Sequence, residues 1–434
     1  VDTLLFDYPT VNLLAEHIVI QLQECAGFVS APSALLSMAG QSADDAVEGS
    51  ESARGDMVAV AKIDLIQSSP VITGAACYTP GSCRTPLEFC ELLRSGRDTV
   101  SKIPSTRFDT DALDDTDREL YVKHGHFLDG IELFDNGWFG ISAAEAKQMD
   151  PAQRILLEVG MGALSDSGRD KSELMGRDCG VFVGFAMMTE WSNVTLSAGS
   201  RVTAYTNLGT DAAGAAGRVS YVLGLNGPCF SLNTACSSTH VALDAANQSV
   251  RLSRCGSALV AGVSVQLHPA SWAGFCAMQA LSRDGQCKTF DAAADGFGRA
   301  EGCAGVVLEQ SVEKSGPAIA LARLRGTAVN QDGRSASFFA PNGPSQRAVI
   351  EHALNGAGLV GWMGHVECHG TGTSLGDPIE VGALREVHEN SVNGTDTTHG
   401  AKDHSAPSVL GASKTYLGHT ELTAGIMGLS KAVM

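Results

Sequence analysis

An α/β fold with largely buried sheets is the architecture this sequence predicts, and three observations carry the prediction. Apolar runs of strand length, Cys179–Phe185, Ser257–Val265 and Gly305–Gln310, alternate with helical stretches, a pattern that packs sheets between helices. Two longer segments, Val219–Leu243 and Ser257–Ser282, carry no formally charged side chain. Finally, Asp150 and Pro151 supply an N-cap and a first-turn proline for a helix over 149–168. The charge-free segments are long enough to raise the question of membrane spans. Asn226-Gly227-Pro228, Asn233 and Ser237-Ser238 interrupt the first, and Gln266, His268-Pro269 and Ser271 the second. Both therefore read as buried interior, with no membrane span, and the first would place its cysteine deep in the protein.

In chain order, residues 1–29 form a small unit in which Val11, Leu14, Ile18 and Leu22 follow Thr10, a helix N-cap, at near-helical spacing. Residues 30–68 read as a flexible linker, richest in Ala, Ser, Gly, Asp and Glu through residue 56. Short strands such as Ala59–Ile66 and Pro70–Ala76 follow, and residues 69–434 form the main domain. A polar stretch, Glu389–Pro407, reads as a surface loop. The N-terminus has neither an initiator Met nor a signal-peptide pattern, so the chain reads as cut from something longer and as cytoplasmic.

With 30 basic against 48 acidic residues the net charge is −18. No basic patch or arginine-rich segment is visible, which argues against nucleic acid as a partner. The 12 cysteines are scattered and form no C-x-x-C pair. In a chain of this length they read as reduced and mostly buried, not as disulfides or a structural zinc site.

One set of residues stands out as chemistry. Cys236 lies in Asn233-Thr234-Ala235-Cys236-Ser237-Ser238, between a short strand, Phe230–Asn233, and a helix, Ser237–Val250. A sulfur at a strand-to-helix turn meets the positive end of the helix dipole, which favours thiolate, and the turn's amides can face a thioester oxygen. The plain alternative is an inert buried cysteine. His369 opens His369-Gly370-Thr371-Gly372-Thr373, followed by a helix from Asp377-Pro378; His419 sits in Gly418-His419-Thr420-Glu421. The glycines permit a tight loop, and the loop lacks the lysine-containing pattern of a phosphate cradle. A lone histidine is more often structural, and Lys414 alone reads as a surface charge. A cysteine with two distant loop histidines is nonetheless what thioester chemistry requires.

Together these segments resemble the β-ketoacyl synthase family, in particular the condensing domains of modular polyketide synthases. Phe134-Asp135, Phe139-Gly140-Ile141-Ser142, Met149-Asp150-Pro151 and Gln153-Arg154 match its N-terminal signature; Asp295–Gly302 and Asn330-Gln331-Asp332-Gly333 also fit. The resemblance runs over residues 69–434, and Phe6-Asp7-Tyr8-Pro9-Thr10 looks like the tail of an acyl carrier protein. It implies a thiolase-like fold, two related α/β halves in five αβαβα layers, usually as a homodimer. Cys236 would accept the acyl chain, while His369 and His419 promote decarboxylation of a malonyl-type extender and stabilise its enolate. Lys414 and Glu380 would orient the histidines, and Thr371 and Thr373 would line the path of the pantetheine arm. It implies no metal or bound cofactor; the substrates ride on the phosphopantetheine of acyl carrier partners. The alternative is a non-elongating relative that only transfers or gates acyl chains.

This chain departs from the family at Asn233, where Asp is usual; at Thr415-Tyr416, where Ser-Asn is usual; and at Ala300, where Gly is usual. It also stops at Met434, before a glycine-rich segment whose Phe amide usually serves the oxyanion, so the expectation is weak activity for residues 1–434 by themselves.

Overall fold

The computed structural model describes residues 69–110, 120–187, 190–199, 202–310, 320–359, 363–393 and 408–434. The expected carrier tail over 1–29, the linker over 30–68 and the strand Ala59–Ile66 lie outside them.

A six-stranded sheet organises the described residues. Its strands are β1 (Val71–Tyr78), β4 (Cys179–Gly184), β5 (Cys229–Leu232), β6 (Ser257–Ser264), β7 (Gly302–Glu309) and β8 (Ala322–Arg323), in the order β5-β4-β6-β7-β1-β8. β5, β4 and β6 run parallel, whereas β6, β7, β1 and β8 pair antiparallel. Two short pairs complete the strands, β2 (Ser101–Lys102) with β3 (His124–Gly125), and β9 (His365–Glu367) with β10 (Val409–Gly411) in parallel.

Alternate residues of each central strand face opposite layers. Val181, Val183, Leu259, Ala261, Val263 and Val307 pack under helices α1 (Pro151–Asp166) and α2 (Ala212–Leu223). Phe182, Ala258, Val260, Ala304, Val306 and Leu308 face α3 (Ser238–Arg251) and α6 (Ala424–Val433). Every residue of β4 and β6 is buried, as the uninterrupted apolar runs predict. α1 begins where expected: the Asp150 carboxylate accepts the Ala152 N–H at 2.7 Å, and Pro151 needs no amide partner.

Two expectations need correction. Val219–Leu243 is not interior throughout: Tyr221 on α2 is 86% accessible, and β5 is the sheet edge, where Cys229 is exposed and Phe230 is 40% accessible. An absence of charge does not distinguish a central strand from an edge. The polar stretch from Glu389 is not all loop either: helix α5 (Gly376–Asn393) runs into it, and residues 394–407 lie outside the described set. One more helix, α4 (Gly343–Gly356), packs on α5. Among the described residues no helix is long and apolar enough to cross a membrane.

Candidate active site

Three strands deliver the predicted residues from their C-terminal ends: β5 leads into Cys236, β9 into His369 and β10 into Lys414. After β5 the chain turns sharply. Asn233 Oδ1 accepts the Ala235 N–H at 2.9 Å, the Thr234 N–H donates to Ser238 Oγ at 2.8 Å, and that hydroxyl donates to the Ala235 carbonyl at 2.7 Å. Ala235 takes a left-handed φ of 55°, a conformation that costs a residue with Cβ about 1–2 kcal/mol. Asn233 thus supplies the acceptor oxygen that a carboxylate would, so this departure leaves the turn intact. α3 then lies close on β6, since a Cβ at Gly262 would fall 2.3 Å from Thr239 Cγ2.

The first histidine loop is held by carboxylates. Glu380 accepts the His369 and Gly370 N–H groups at 2.5 and 2.9 Å. It therefore orients His369 through the backbone, not through the ring. Asp377 does the same for Gly372 and Phe290, at 3.1 and 2.9 Å. Thr415 donates to Thr289 Oγ1, which donates to the Gly370 carbonyl at 2.6 Å, so this departure adds a tether to the loop. The Thr371 and Thr373 hydroxyls lie 3.3 Å apart and, with His369, line a cavity of about 590 Å³.

The second loop is held by backbone pairing. The His419 N–H donates to the Gly298 carbonyl at 2.7 Å, and the Ala300 N–H to the His419 carbonyl at 2.9 Å. Gly418, at φ 71°, has no room for a Cβ, which would sit 2.2 Å from Cδ2 of the buried His126. Most informative is the Glu421 N–H, which donates to His419 Nδ1 at 3.2 Å. That bond leaves the proton of a neutral imidazole on Nε2, so His419 presents a donor.

The three groups converge. Cys236 Sγ and ring nitrogens of His369 and His419 all lie within 4.8 Å of one another, and the imidazoles meet edge to face at 5.3 Å between centroids. Cys and His are also zinc-type ligands. Lys414, 6% accessible, is buried and shares a cavity of about 390 Å³ with Cys236, His369 and Glu380. A larger space of about 1050 Å³ opens from Cys236 towards Asn330, Arg334 and Phe339.

The electrostatics favour neutral groups. Desolvation by the protein packed around its ring, then the Lys414 ammonium, pushes His369 down to about 3, although one side of it opens to the cavity. The same two causes, with His369 and Arg299 behind them, hold His419 well below its usual range. Burial also lowers Lys414, against Cys287, Glu367 and Glu380. At Cys236 burial raises the thiol, and Lys414 and a backbone amide oppose this only in part. A thiol shifted in this direction calls for a nearby base to take its proton before it can attack. His369 reaches solvent through the cavity, whereas His419 is buried.

Three participants escaped the sequence reading. His240 follows Cys236 by one turn of α3, lines the same cavity and packs on Gly425; its i+4 spacing was the available signal. Arg299 and Glu421 form a bidentate pair at 2.6 and 3.3 Å beside His419, and no local pattern links positions so far apart. Among the described residues the other cysteines are buried as expected, Cys229 and Cys90 excepted.

The chain matches the N-terminal domain of β-ketoacyl synthases over residues 68–314 and their C-terminal domain over 321–434. It is 39% identical to polyketide synthase GfsE of Streptomyces halstedii, aligning over all of this chain and 11% of that protein. To erythronolide synthase EryA3 of Saccharopolyspora erythraea it is 37% identical, over all of this chain and 13% of the relative. The chain thus spans about a tenth of the length of these curated relatives. Among solved structures it superposes on the ketosynthase from module 6 of the bacillaene synthase of Bacillus subtilis 168 with a TM-score of 0.73 and 34% identity, covering 84% of this chain and 60% of that one. The oxazolomycin ketosynthase domain OzmH KS7 of Streptomyces albus JA3453 gives 0.74 at 33% identity, over 84% and 62%. The fold is the thiolase-like one of the ketosynthases.

Proposed function

Because this chain belongs to the β-ketoacyl synthase family, we propose that its convergent cysteine and histidines carry out decarboxylative Claisen condensation in polyketide assembly. The observation that carries the reading is the meeting of Cys236, His369 and His419 within 4.8 Å, from segments far apart in sequence.

His419 has its Nδ1 occupied and can only donate from Nε2, so His369 takes the Cys236 proton. The sulfur attacks the acyl thioester of a carrier arm, the C–S bond to the carrier breaks, and the carrier thiolate leaves with the proton from His369. A malonyl-type thioester then enters along Thr371 and Thr373. Its carboxylate leaves as carbon dioxide, and the electron pair moves into an enolate. Neutral imidazole donors stabilise that enolate oxygen without binding it as a salt. The enolate carbon attacks the Cys236 thioester, the β-ketoacyl chain departs on the second carrier, and the thiolate regains a proton from solvent. Burial, with the Lys414 charge behind it, keeps both imidazoles neutral, and Glu380 fixes the loop that carries His369. The proposed partners are acyl carrier domains, in the same polypeptide or in trans, with phosphopantetheine as the arm and the cytoplasm as the compartment. A homodimer across β5 is also proposed, since its outer edge pairs with no described strand and carries the exposed Phe230.

Mass spectrometry after incubation with an acyl thioester is the direct test. The expected result is an acyl increment on the Cys236 peptide that disappears in Cys236→Ala. Release of carbon dioxide from a malonyl carrier should then fail in both His369→Ala and His419→Ala. Acylation at another residue, or undiminished release in both histidine variants, would overturn the reading.

A further inference from the structure

Glu421 is in an unusual state for a residue with a side chain. Its φ is 47°, in the left-handed region, which residues with a Cβ occupy only where their surroundings hold them there. That conformation aims its N–H at His419 Nδ1, 3.2 Å away. The same residue's carboxylate meets Arg299 through two bonds, Nε to Oε1 at 2.6 Å and Nη2 to Oε2 at 3.3 Å, and Gln266 Nε2 lies 3.4 Å from Oε1.

Arg299 is itself fixed. Its side chain is 3% accessible, its Nη1 donates to Ser271 Oγ at 2.8 Å, and its guanidinium lies 4.9 Å from the ring centroids of both Trp272 and Phe275. The backbone on either side of Arg299 bonds to His419, through the Gly298 carbonyl and the Ala300 N–H. Arg299 is therefore locked to the body of the domain by its side chain and to the histidine by its flanking peptides. Glu421 closes the ring, from the guanidinium to the imidazole.

We propose that the Arg299–Glu421 pair is a positioning device: the bidentate bond holds Glu421 in its left-handed turn, and the turn holds His419 in the Nε2–H tautomer. Neither side chain takes a proton or contacts the acyl group in the proposed reaction. The inference rests on the condensing role proposed for His419, but its central claim concerns a proton on a ring nitrogen and can be read without turnover. Without the carboxylate, the turn relaxes towards an ordinary helical φ, the N–H leaves Nδ1, and the imidazole populates both tautomers. His369 remains free to accept the thiol proton, so loading of Cys236 continues while decarboxylation suffers.

The test compares Glu421→Ala, Glu421→Gly and Glu421→Gln with the unaltered chain. Nitrogen chemical shifts in histidine-labelled protein report the tautomer of His419; acyl loading on Cys236 and carbon dioxide release from a malonyl carrier report the two half-reactions. In the unaltered chain Nδ1 should have the shift of an unprotonated nitrogen. Glu421→Ala should show a tautomer mixture, near-normal loading and carbon dioxide release lower by about tenfold to a hundredfold, a loss in the range of a misplaced donor. Glu421→Gln, which keeps an acceptor for Arg299, should restore most of the Nε2–H form. Glu421→Gly separates turn from anchor: glycine tolerates the left-handed φ, so a mixture there shows that the carboxylate is required. Should Glu421→Ala fail to fold, the Gln and Gly variants give the same comparison. An unaltered His419 tautomer in both Ala and Gly variants overturns the proposal, as does a parallel fall in loading and decarboxylation. If the tautomer shifts as expected but no variant, nor the unaltered chain, releases carbon dioxide, it is the condensing role that fails and the positioning that stands.

Discussion

Replacing Gly418 with alanine tests how the second histidine is placed. Gly418 has φ 71° and ψ −175°, a region reached almost only by glycine, where other residues lose about 1–3 kcal/mol. The added Cβ would also fall 2.2 Å from Cδ2 of His126. That ring cannot move aside: it is fully buried, with Nε2 3.0 Å from the Gly285 carbonyl and Nδ1 2.8 Å from Thr99 Oγ1. Overpacking of this kind costs about 1–3 kcal/mol more, for a total of about 2–6 kcal/mol. At about 2 °C per kcal/mol for a domain of this size, the melting midpoint should fall by about 4–12 °C. A double-mutant cycle isolates the contact. In a His126→Ala background the same substitution should keep the backbone cost and lose the clash, giving a coupling of about 1–3 kcal/mol. Thermal melts followed by circular dichroism suffice. A Gly418→Ala protein that melts within about 2 °C of the parent refutes the geometry, and equal losses in both backgrounds acquit the ring.

Other outcomes follow from the same geometry. Glu380→Gln leaves one carbonyl oxygen where two carboxylate oxygens hold the His369 loop; with about 1.5–3 kcal/mol at stake per charge-assisted bond, carbon dioxide release should drop by about tenfold to a hundredfold, and an unchanged rate would mean that the loop holds itself. Asn233→Asp keeps the acceptor for the Ala235 N–H and should acylate like the parent, while Asn233→Ala should cost about 1 kcal/mol in stability and slow acylation; mass-spectrometric time courses distinguish them. Stability should also depend on acidity. Burial lowers His126 to about 4 and holds His419 well below the usual range, whereas unfolded histidine titrates near 6.5. The unfolded chain therefore binds more protons in that window. The contribution is complete above about pH 6.5 and is lost as pH falls, at about 1.4 kcal/mol per unit for each histidine. Denaturation midpoints at pH 7 and pH 5 should show the fall, less steeply in His126→Gln, and a flat profile would contradict it.

The elements most legible in the sequence were those whose signal is local. β4, β6 and β7 are apolar runs buried on both faces, and α1 is announced by Asp150 and Pro151. Cys236, His369 and His419 were legible because glycines and small hydroxyl residues mark the loops that deliver them. Less legible was whatever depends on who sits next to whom. β5 looks as apolar as β4, yet it is the edge strand. The helix-dipole argument considers only the start of α3, and burial, which raises the Cys236 thiol, is invisible to it. Lys414 reads as solvent-facing until Glu367 and Glu380 are seen near it. The Arg299–Glu421 bond joins residues 122 positions apart, a relation no periodicity encodes.

The separation of Cys236 from its two histidines along the chain also has a temporal meaning. A ribosome makes the Cys236 turn first and His369 and His419 only 133 and 183 residues later (369 − 236 and 419 − 236). At about 5–20 residues per second, the nascent cysteine waits roughly 7 to 37 seconds for its imidazoles. β4, β5 and α3, which frame the turn, are complete by Arg251, whereas Glu367, His369, Lys414 and Gly425, which line the cavity around Cys236, are made later. The residues proposed to activate the sulfur are thus among the last translated, and the cavity around Cys236 closes only with them.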